Sequence, residues 1–169
     1  MSWSRRALLL LLLPPLAACG FQPLYAEREE TAEEPGLAAI KVLPIKDRIG
    51  QMLEFALRGS FNPRDLAVDT QYTLAVTLSV SRYDLGIQRD ATATRGRVDV
   101  RATIELKDAK TDKVIYTSRA QSTSSFNILD DAYAAQVAED DARVRTVRDL
   151  TDEIRARMAL FLRRRRAAG

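Results

Sequence analysis

The chain has 169 residues, 46% of them hydrophobic, with a single cysteine and no histidine. The missing histidines exclude Ser–His–Asp and Cys–His nucleophiles, and they leave a zinc or iron site with carboxylate ligands alone. The net charge of +3 does not indicate nucleic-acid binding, because without Arg5, Arg6 and the run Arg163–Arg166 only 20 of the 26 basic residues remain, against 23 acidic ones.

The first 18 residues have the layout of an export signal. Two arginines, Arg5 and Arg6, precede an apolar run, Ala7–Leu13, that is too short to span a bilayer. The small residues of Leu16–Cys19 then provide a cleavage site directly before the only cysteine. This arrangement resembles a bacterial lipoprotein signal, so we predict a signal peptide over residues 1–18 and a lipid on Cys19. The alternative is an ordinary export signal followed by a buried free cysteine.

Residues 19–36 are predicted to form a disordered, lipidated tether, because they carry few apolar residues and much like charge. The acidic residues of this segment are Glu27, Glu29, Glu30, Glu33 and Glu34. Phe21, Leu24 and Tyr25 are its apolar exceptions, and they could contact the membrane surface or a partner.

A strand and a helix are predicted next. Leu37–Ile45 has the pattern of a strand that ends at Pro44, with Ala38, Ile40 and Val42 on one face. Asp47 is placed to cap a helix that runs to about Gly59. The apolar residues of this helix recur at helical spacing and are Ile49, Met52, Leu53, Ala56 and Leu57.

Three further strands follow, each with one apolar and one polar face. The first covers residues 72–80, the second residues 92–107, and the third residues 113–122 after a turn at 108–112. In the second strand the apolar face consists of Val98, Val100, Ala102, Ile104 and Leu106. This alternation predicts an antiparallel sheet that is covered on one side only.

A long helix is predicted to close the domain. Asp130 or Asp131 is placed to cap it. Its core-facing residues at helical spacing are Val137, Val144, Val147, Ile154, Met158 and Phe161. Residues 163–169 are predicted to form a basic tail, either solvated or in contact with anionic lipid.

The predicted element order is β-α-β-β-β-α. It indicates an α+β domain over residues 37–162, with a mixed, largely antiparallel four-stranded sheet and two helices packed on one face.

The segment Cys19–Tyr25, which reads Cys-Gly-Phe-Gln-Pro-Leu-Tyr, resembles the start of the LPS-assembly lipoproteins of the LptE family of alphaproteobacteria. The resemblance implies an outer-membrane lipoprotein that faces the periplasm and is anchored by its lipid. It further implies that the protein plugs the LptD β-barrel, assists assembly of that barrel and takes part in lipopolysaccharide transport. It implies no catalytic residue and no cofactor besides the covalent lipid on Cys19.

The connection between the two long strands is rich in arginine. It carries Arg82, Arg89, Arg95 and Arg97 against only Asp84 and Asp90. Guanidinium groups match the phosphates of lipid A, so we predict these four arginines as lipopolysaccharide contacts. The alternative is an ordinary solvated hairpin tip.

Two other functions remain open at this point. An auxiliary lipoprotein of an ABC-type lipid transport system could share the signal, the tether and an α+β body. A lipid-anchored hydrolase with paired carboxylates is less well supported, because the acidic residues lie in turns, at helix starts and on polar faces. Gly20 after the cysteine favours the outer membrane, because an aspartate there is a retention signal for the inner membrane of enteric bacteria.

Overall fold

The computed structural model describes residues 36–87 and 93–168, and it confirms the predicted element order. Cys19, the signal peptide, nearly all of the tether and Arg89 lie outside the described residues. The elements are β1 (Ile40–Val42), α1 (Arg48–Phe61), β2 (Tyr72–Ile87), β3 (Ala93–Asp108), β4 (Val114–Asn127) and α2 (Ala132–Ala167).

The four strands form one sheet in the order β1-β2-β3-β4. The short strand β1 pairs with β2 in parallel, whereas the β2–β3 and β3–β4 pairs are antiparallel. This topology confirms the mixed, largely antiparallel sheet, and the fold is α+β.

The alternation predicted for β3 decides which face of the sheet the helices cover. Its five predicted apolar residues are all buried, from Val98 to Leu106. The residues between them point to the opposite face, which no described element covers. The core therefore lies between this apolar face and the two helices.

The strand β2 extends further than its sequence pattern indicated, because it continues past Val80 to Ile87, where it still pairs with Ala93. The strand β3 covers Ala93–Asp108, one residue later at each end than predicted. Arg82 and Arg97 therefore lie within paired strands and not at a hairpin tip. The β4 strand is also longer than predicted, because its buried positions continue to Phe126.

The first strand is shorter than predicted. Only Ile40–Val42 pairs with β2, and the last hydrogen bond runs from the Leu43 N–H to the Leu74 carbonyl, 2.9 Å. Pro44 follows and has no N–H to continue the pairing. Asp47 precedes α1 with a positive φ of 68° and makes no side-chain cap, so its predicted capping role is wrong.

The helix α1 passes through Gly59 and Ser60 and ends at Phe61, two residues later than predicted. Asn62 stops it, because its side chain exchanges two hydrogen bonds with the main chain of Leu66, each 2.9 Å long. Its inward face buries Gly50, Leu53, Leu57 and Phe61.

The helix α2 is about 54 Å long and runs antiparallel to β4. Asp131 caps it as predicted, since its side chain accepts a hydrogen bond of 2.7 Å from the Ala134 N–H. Near the start Arg145 contacts the Ser125 carbonyl, and near the end Phe161 packs on Tyr116 with ring centroids 4.8 Å apart.

The residues that α2 buries differ in part from the prediction. Val147, Ile154 and Met158 are buried as expected, but Val137 and Val144 are 50% and 41% exposed. The reason is that α1 begins only beside residues 140–144 of α2, so no helix flanks the preceding turns. At its other end α2 continues through Ala167, so the run Arg163–Arg166 is helical and is not a separate tail.

No helix within the two described ranges has both the length and the apolar character that crossing a membrane requires.

Candidate functional site: the uncovered face of the sheet

The side of the sheet that faces away from the helices is polar over nearly its full length. Odd-numbered residues of β2, β3 and β4 share this face because the strand registers align odd positions with odd positions. We call it the uncovered face. Its basic residues are Arg95, Arg97, Arg101, Lys107 and Arg119. Asp99 and Glu105 are the acidic residues among them, so the face carries an excess of positive charge.

Arg97 is held on this face by two neighbours. Its guanidinium lies 5.0 Å from the centre of the Tyr83 ring, and its Nε lies 3.0 Å from Asp99 Oδ1. The Nε and Oδ1 atoms are both buried, but neither makes a hydrogen bond within the described part of the chain. The contact is therefore an ion pair without an aligned N–H, and it does not satisfy the five donors of a guanidinium.

A small polar cavity of about 130 Å³ adjoins this ion pair. It lies between β3 and β4, and its lining comprises Arg97, Asp99, Val100, Arg101, Gln121, Ser122 and Thr123. Guanidinium, amide and hydroxyl donors of Arg97, Arg101, Gln121 and Thr123 border this opening together with the Asp99 carboxylate, whereas the Ser122 hydroxyl donates to Asp149 on the helix side. Such a set of donors suits an anion with several oxygens.

Arg101 also borders a second, larger depression of about 480 Å³. Arg119 lines the same depression from β4. The register places Arg101 opposite Gln121 and Arg119 opposite Thr103, so the two arginines are diagonal neighbours on one face. Arg95 and Arg97 continue the row toward the start of β3.

The structure describes three of the four arginines predicted as lipopolysaccharide contacts, and of these Arg95 and Arg97 lie on the uncovered face. Arg82 lies on the helix side, because its even position shares a face with Leu74 and Val76. These three are therefore divided between the two faces, and Arg89 falls outside the described residues.

Arg82 ties the sheet to α2. Its guanidinium is 2.7 Å from Asp84 Oδ1 and 3.1 Å from Glu139 Oε2, and it lies 5.7 Å from the centre of the Phe126 ring. Burial alone would lower the pKa of Arg82, but the hydrogen bonds to the two carboxylates outweigh it and raise that pKa above its ordinary value. The Arg82 side chain therefore links β2 to α2 through Glu139.

Sequence reasoning missed Arg119 as a member of the site. It stands in a strand of mixed polar residues, and its proximity to Arg101 depends on the β3–β4 register. That register contains a shift at Leu106 and Lys107, which no sequence signal marked.

The described ranges 36–87 and 93–168 contain no group of three or more Asp, Glu or Cys side chains arranged to hold a metal ion. The chemistry that this part of the molecule offers on its uncovered face is the recognition of anions by arginines and neutral donors.

Comparison with known proteins gives the following similarities. A family model described as LptE, lipopolysaccharide-assembly, matches residues 37–158. No curated protein matches the chain in sequence.

Solved structures of named lipoproteins share the fold. A protein from Caulobacter crescentus CB15, named as a lipoprotein, is 25% identical, with a TM-score of 0.63 over 79% of this chain and 97% of that one. The minor lipoprotein of Acinetobacter baumannii is 17% identical, with a TM-score of 0.58 over 73% and 92% of the two chains. Lipoprotein B from Nitrosomonas europaea is 13% identical, with a TM-score of 0.53 over 74% and 88%. The last two show the fold alone.

Proposed function

The chain belongs to the LptE family of lipopolysaccharide-assembly proteins, and we propose that it is a non-enzymatic outer-membrane lipoprotein that plugs the LptD β-barrel. In this proposal it assists assembly of the barrel and takes part in the transport of lipopolysaccharide to the outer leaflet. The lipid on Cys19 anchors it at the periplasmic side of the outer membrane.

The polar character of the uncovered face is the observation that carries the plug proposal. The interior wall of a large outer-membrane barrel is polar, so a protein that fills it must present polar side chains over a broad surface. The uncovered face does so along three strands, and the helices bury the apolar side of the same sheet.

Co-purification tests the plug proposal. The full chain should be recovered from detergent-solubilised outer membrane as a stable one-to-one complex with a large barrel. Depletion of the chain should leave the barrel misfolded and lower the amount of surface lipopolysaccharide. Recovery with a periplasmic transport partner, and without a barrel, would instead support the auxiliary lipoprotein of an ABC-type system.

We further propose that the arginines of the uncovered face contact lipopolysaccharide phosphates. Arg95 and Arg97 are retained from the sequence prediction, and Arg101 and Arg119 join them because they line neighbouring openings. We expect Arg82 to contribute less to lipopolysaccharide binding, because its guanidinium already pairs with the carboxylates of Asp84 and Glu139. The contact by Arg89 stays a prediction.

Replacing Arg101 and Arg119 together with serine is expected to weaken lipopolysaccharide binding by about tenfold or more. A hydrogen bond to a charged group contributes roughly 1.5–3 kcal/mol, and about 1.4 kcal/mol corresponds to a tenfold change in affinity. The measurement is the dissociation constant of the purified chain for lipopolysaccharide at fixed ionic strength, because such contacts weaken with salt.

The matched control replaces Arg148 and Arg155 with serine. Both arginines are exposed on α2, so this double variant loses the same charge as the first one. Binding that falls equally in the two double variants would show that net charge, and not the uncovered face, governs the interaction. Unchanged affinity in the first variant would reject the contact.

A further inference from the structure

One edge of β2 lacks a strand partner for most of its length. β1 pairs only with Tyr72–Leu74, and no other described strand lies on that side. The Tyr72 N–H donates to the Ala39 carbonyl, and the Leu74 carbonyl accepts from the Leu43 N–H. Even-numbered residues therefore direct their main-chain groups toward this edge, since the direction alternates along a strand. Beyond Leu74 the residues with main-chain groups directed there are Val76, Leu78, Val80, Arg82 and Asp84.

The opposite edge of the sheet is guarded, whereas on this edge the charged residues between Val76 and Asp84 are Arg82 and Asp84, at its end. At β4 the Arg145 side chain reaches over to the Ser125 carbonyl, 3.1 Å away, and the β3–β4 pairing is interrupted at Leu106 and Lys107. Proteins protect solvent-exposed edges with charges, prolines or bulges of this kind. From Ala75 to Ser81 the β2 edge carries none of them, and its register with β3 is regular. An unguarded edge of this length is typical of a strand that receives a partner.

The two faces beside the edge define the chemistry of that partner. On the helix side lies an open cavity of about 340 Å³, whose exposed surface is mostly apolar and includes Ile49, Met52, Val80 and Val144. The charged residues Asp47, Arg48, Asp140 and Arg143 also line it. On the uncovered face the neighbouring side chains are the small hydroxyl residues Thr77, Ser79 and Ser81. An added strand would therefore bring apolar side chains to the helix side at every second position and polar ones to the other face.

We propose that an uncharged extended segment of the barrel partner adds to β2 as a further strand between Val76 and Asp84. The proposal rests on the plug function given above, and it names the surface through which the partner is held. The strands of a closed barrel wall are already paired on both sides, so the segment that adds to β2 is a connecting segment of the barrel, whose main-chain groups are free to pair. The added strand would pair with β2 beyond Leu74, where the pairing of β1 with β2 ends.

A second copy of the chain fits the edge less well. If two β2 strands paired antiparallel so that Val76–Asp84 was covered in both, Asp84 of one copy would lie opposite Val76 of the other. Arg82 would likewise lie opposite Leu78. Charged side chains would then stand against the apolar part of the edge, where they lose solvation without a partner.

Residue-resolved amide hydrogen exchange tests the strand addition on the unmodified sequence. The full chain is measured alone and in its purified complex with the LptD-type barrel of the same organism. Amides of the even residues from Val76 to Asp84 should exchange fast in the free chain and at least tenfold more slowly in the complex. Amides of the odd residues between them should be slow in both states, because they bond to β3.

The outcomes separate the two proposals. A complex in which the even amides stay fast would overturn the strand addition and leave the plug function standing. Failure to form any complex with the barrel would overturn the plug function, and the strand addition with it. Slowing of the same amides when the free chain is merely concentrated would show self-association and overturn the strand addition.

A substitution provides a second test. Val80→Pro removes one N–H from the free edge, whereas the bonds between β2 and β3 use the odd positions. It should weaken the complex with the barrel by at least tenfold. Val80→Ile keeps both the N–H and an apolar side chain on the cavity, so it serves as the control and should bind at least tenfold more tightly than Val80→Pro. Equal binding by the two variants, with both shown to be folded by thermal melting, would overturn the proposal.

Discussion

A chain with serine in place of Cys19 is expected to leave the membrane fraction and to appear as soluble periplasmic protein. In the proposed function the thiol accepts the lipid, and each buried methylene of an acyl chain contributes roughly 0.8 kcal/mol to membrane binding. A multiply acylated cysteine therefore gives long-lived attachment, and its loss removes nearly all of it. Fractionation of cells that express the variant, followed by immunoblotting, measures the effect.

The matched control is Gln22→Ser, which introduces the same residue nearby and leaves Cys19 in place. It should fractionate with the membrane, and mass spectrometry of its mature N-terminus should show the added mass of the lipid. If the Cys19→Ser chain stays in the membrane, or if the unaltered chain carries a free thiol, the anchor proposal is contradicted. Neither result would bear on the fold of the described residues.

The loss of the anchor should also weaken complex formation in cells. In the proposed function the lipid confines the chain to the membrane that contains the barrel, and this confinement would raise its local concentration near that partner. The purified soluble variant should still bind the barrel at high concentration through the uncovered face and the β2 edge. Anchor and docking surface are thus separable in the proposed mechanism.

The apolar pattern of β3 was sufficient to predict the layered fold. Alternation from Val98 to Leu106 specifies which side of the sheet is buried, and the helical spacing of Val147, Ile154 and Met158 specifies the covering face of α2. These signals are strong because each buried position removes apolar surface from water on one consistent side. Element order and fold class follow from them.

Strand ends were predicted less well, because pairing and not side-chain polarity determines where they lie. Ser81–Leu85 shows no clean alternation, yet the segment pairs continuously with β3 as far as Ile87. Conversely, apolar residues around β1 predicted a strand of nine residues, and only Ile40–Val42 pairs. Pro44 and the divergence of the chain toward α1 end that pairing.

The candidate site was predictable in part. Arg95 and Arg97 were identified from the density of arginines, and their common face follows from their spacing of two residues. The position of Arg82 on the helix side also follows from alternation with Leu74, but the assumption of a loop at residue 82 concealed it. Arg119 required the β3–β4 register, which is a long-range property that local patterns do not encode.

The same dependence on long-range packing accounts for the exposure of Val137 and Val144 on α2. A helical stripe predicts which side of a helix faces the protein, but it does not predict how far the neighbouring element extends. Val144 lies at the border of the open cavity because α1 begins only at Arg48. The cavity and the free β2 edge thus arise together, at the end of the sheet that α1 does not reach.

Replacement of Leu150 with alanine is expected to lower the free energy of unfolding by about 2–5 kcal/mol. This side chain is fully buried between α2 and the sheet, so its truncation loses transfer free energy and leaves a cavity. Leu160→Ala is the matched control on the same helix, because Leu160 is 49% exposed, and its loss should be about 0.5 kcal/mol or less. Urea unfolding of both variants in the Cys19→Ser background gives the comparison without interference from lipid. Equal losses in the two variants would contradict the packing of α2 on the sheet, and with it the assignment of the opposite face as the open, polar one.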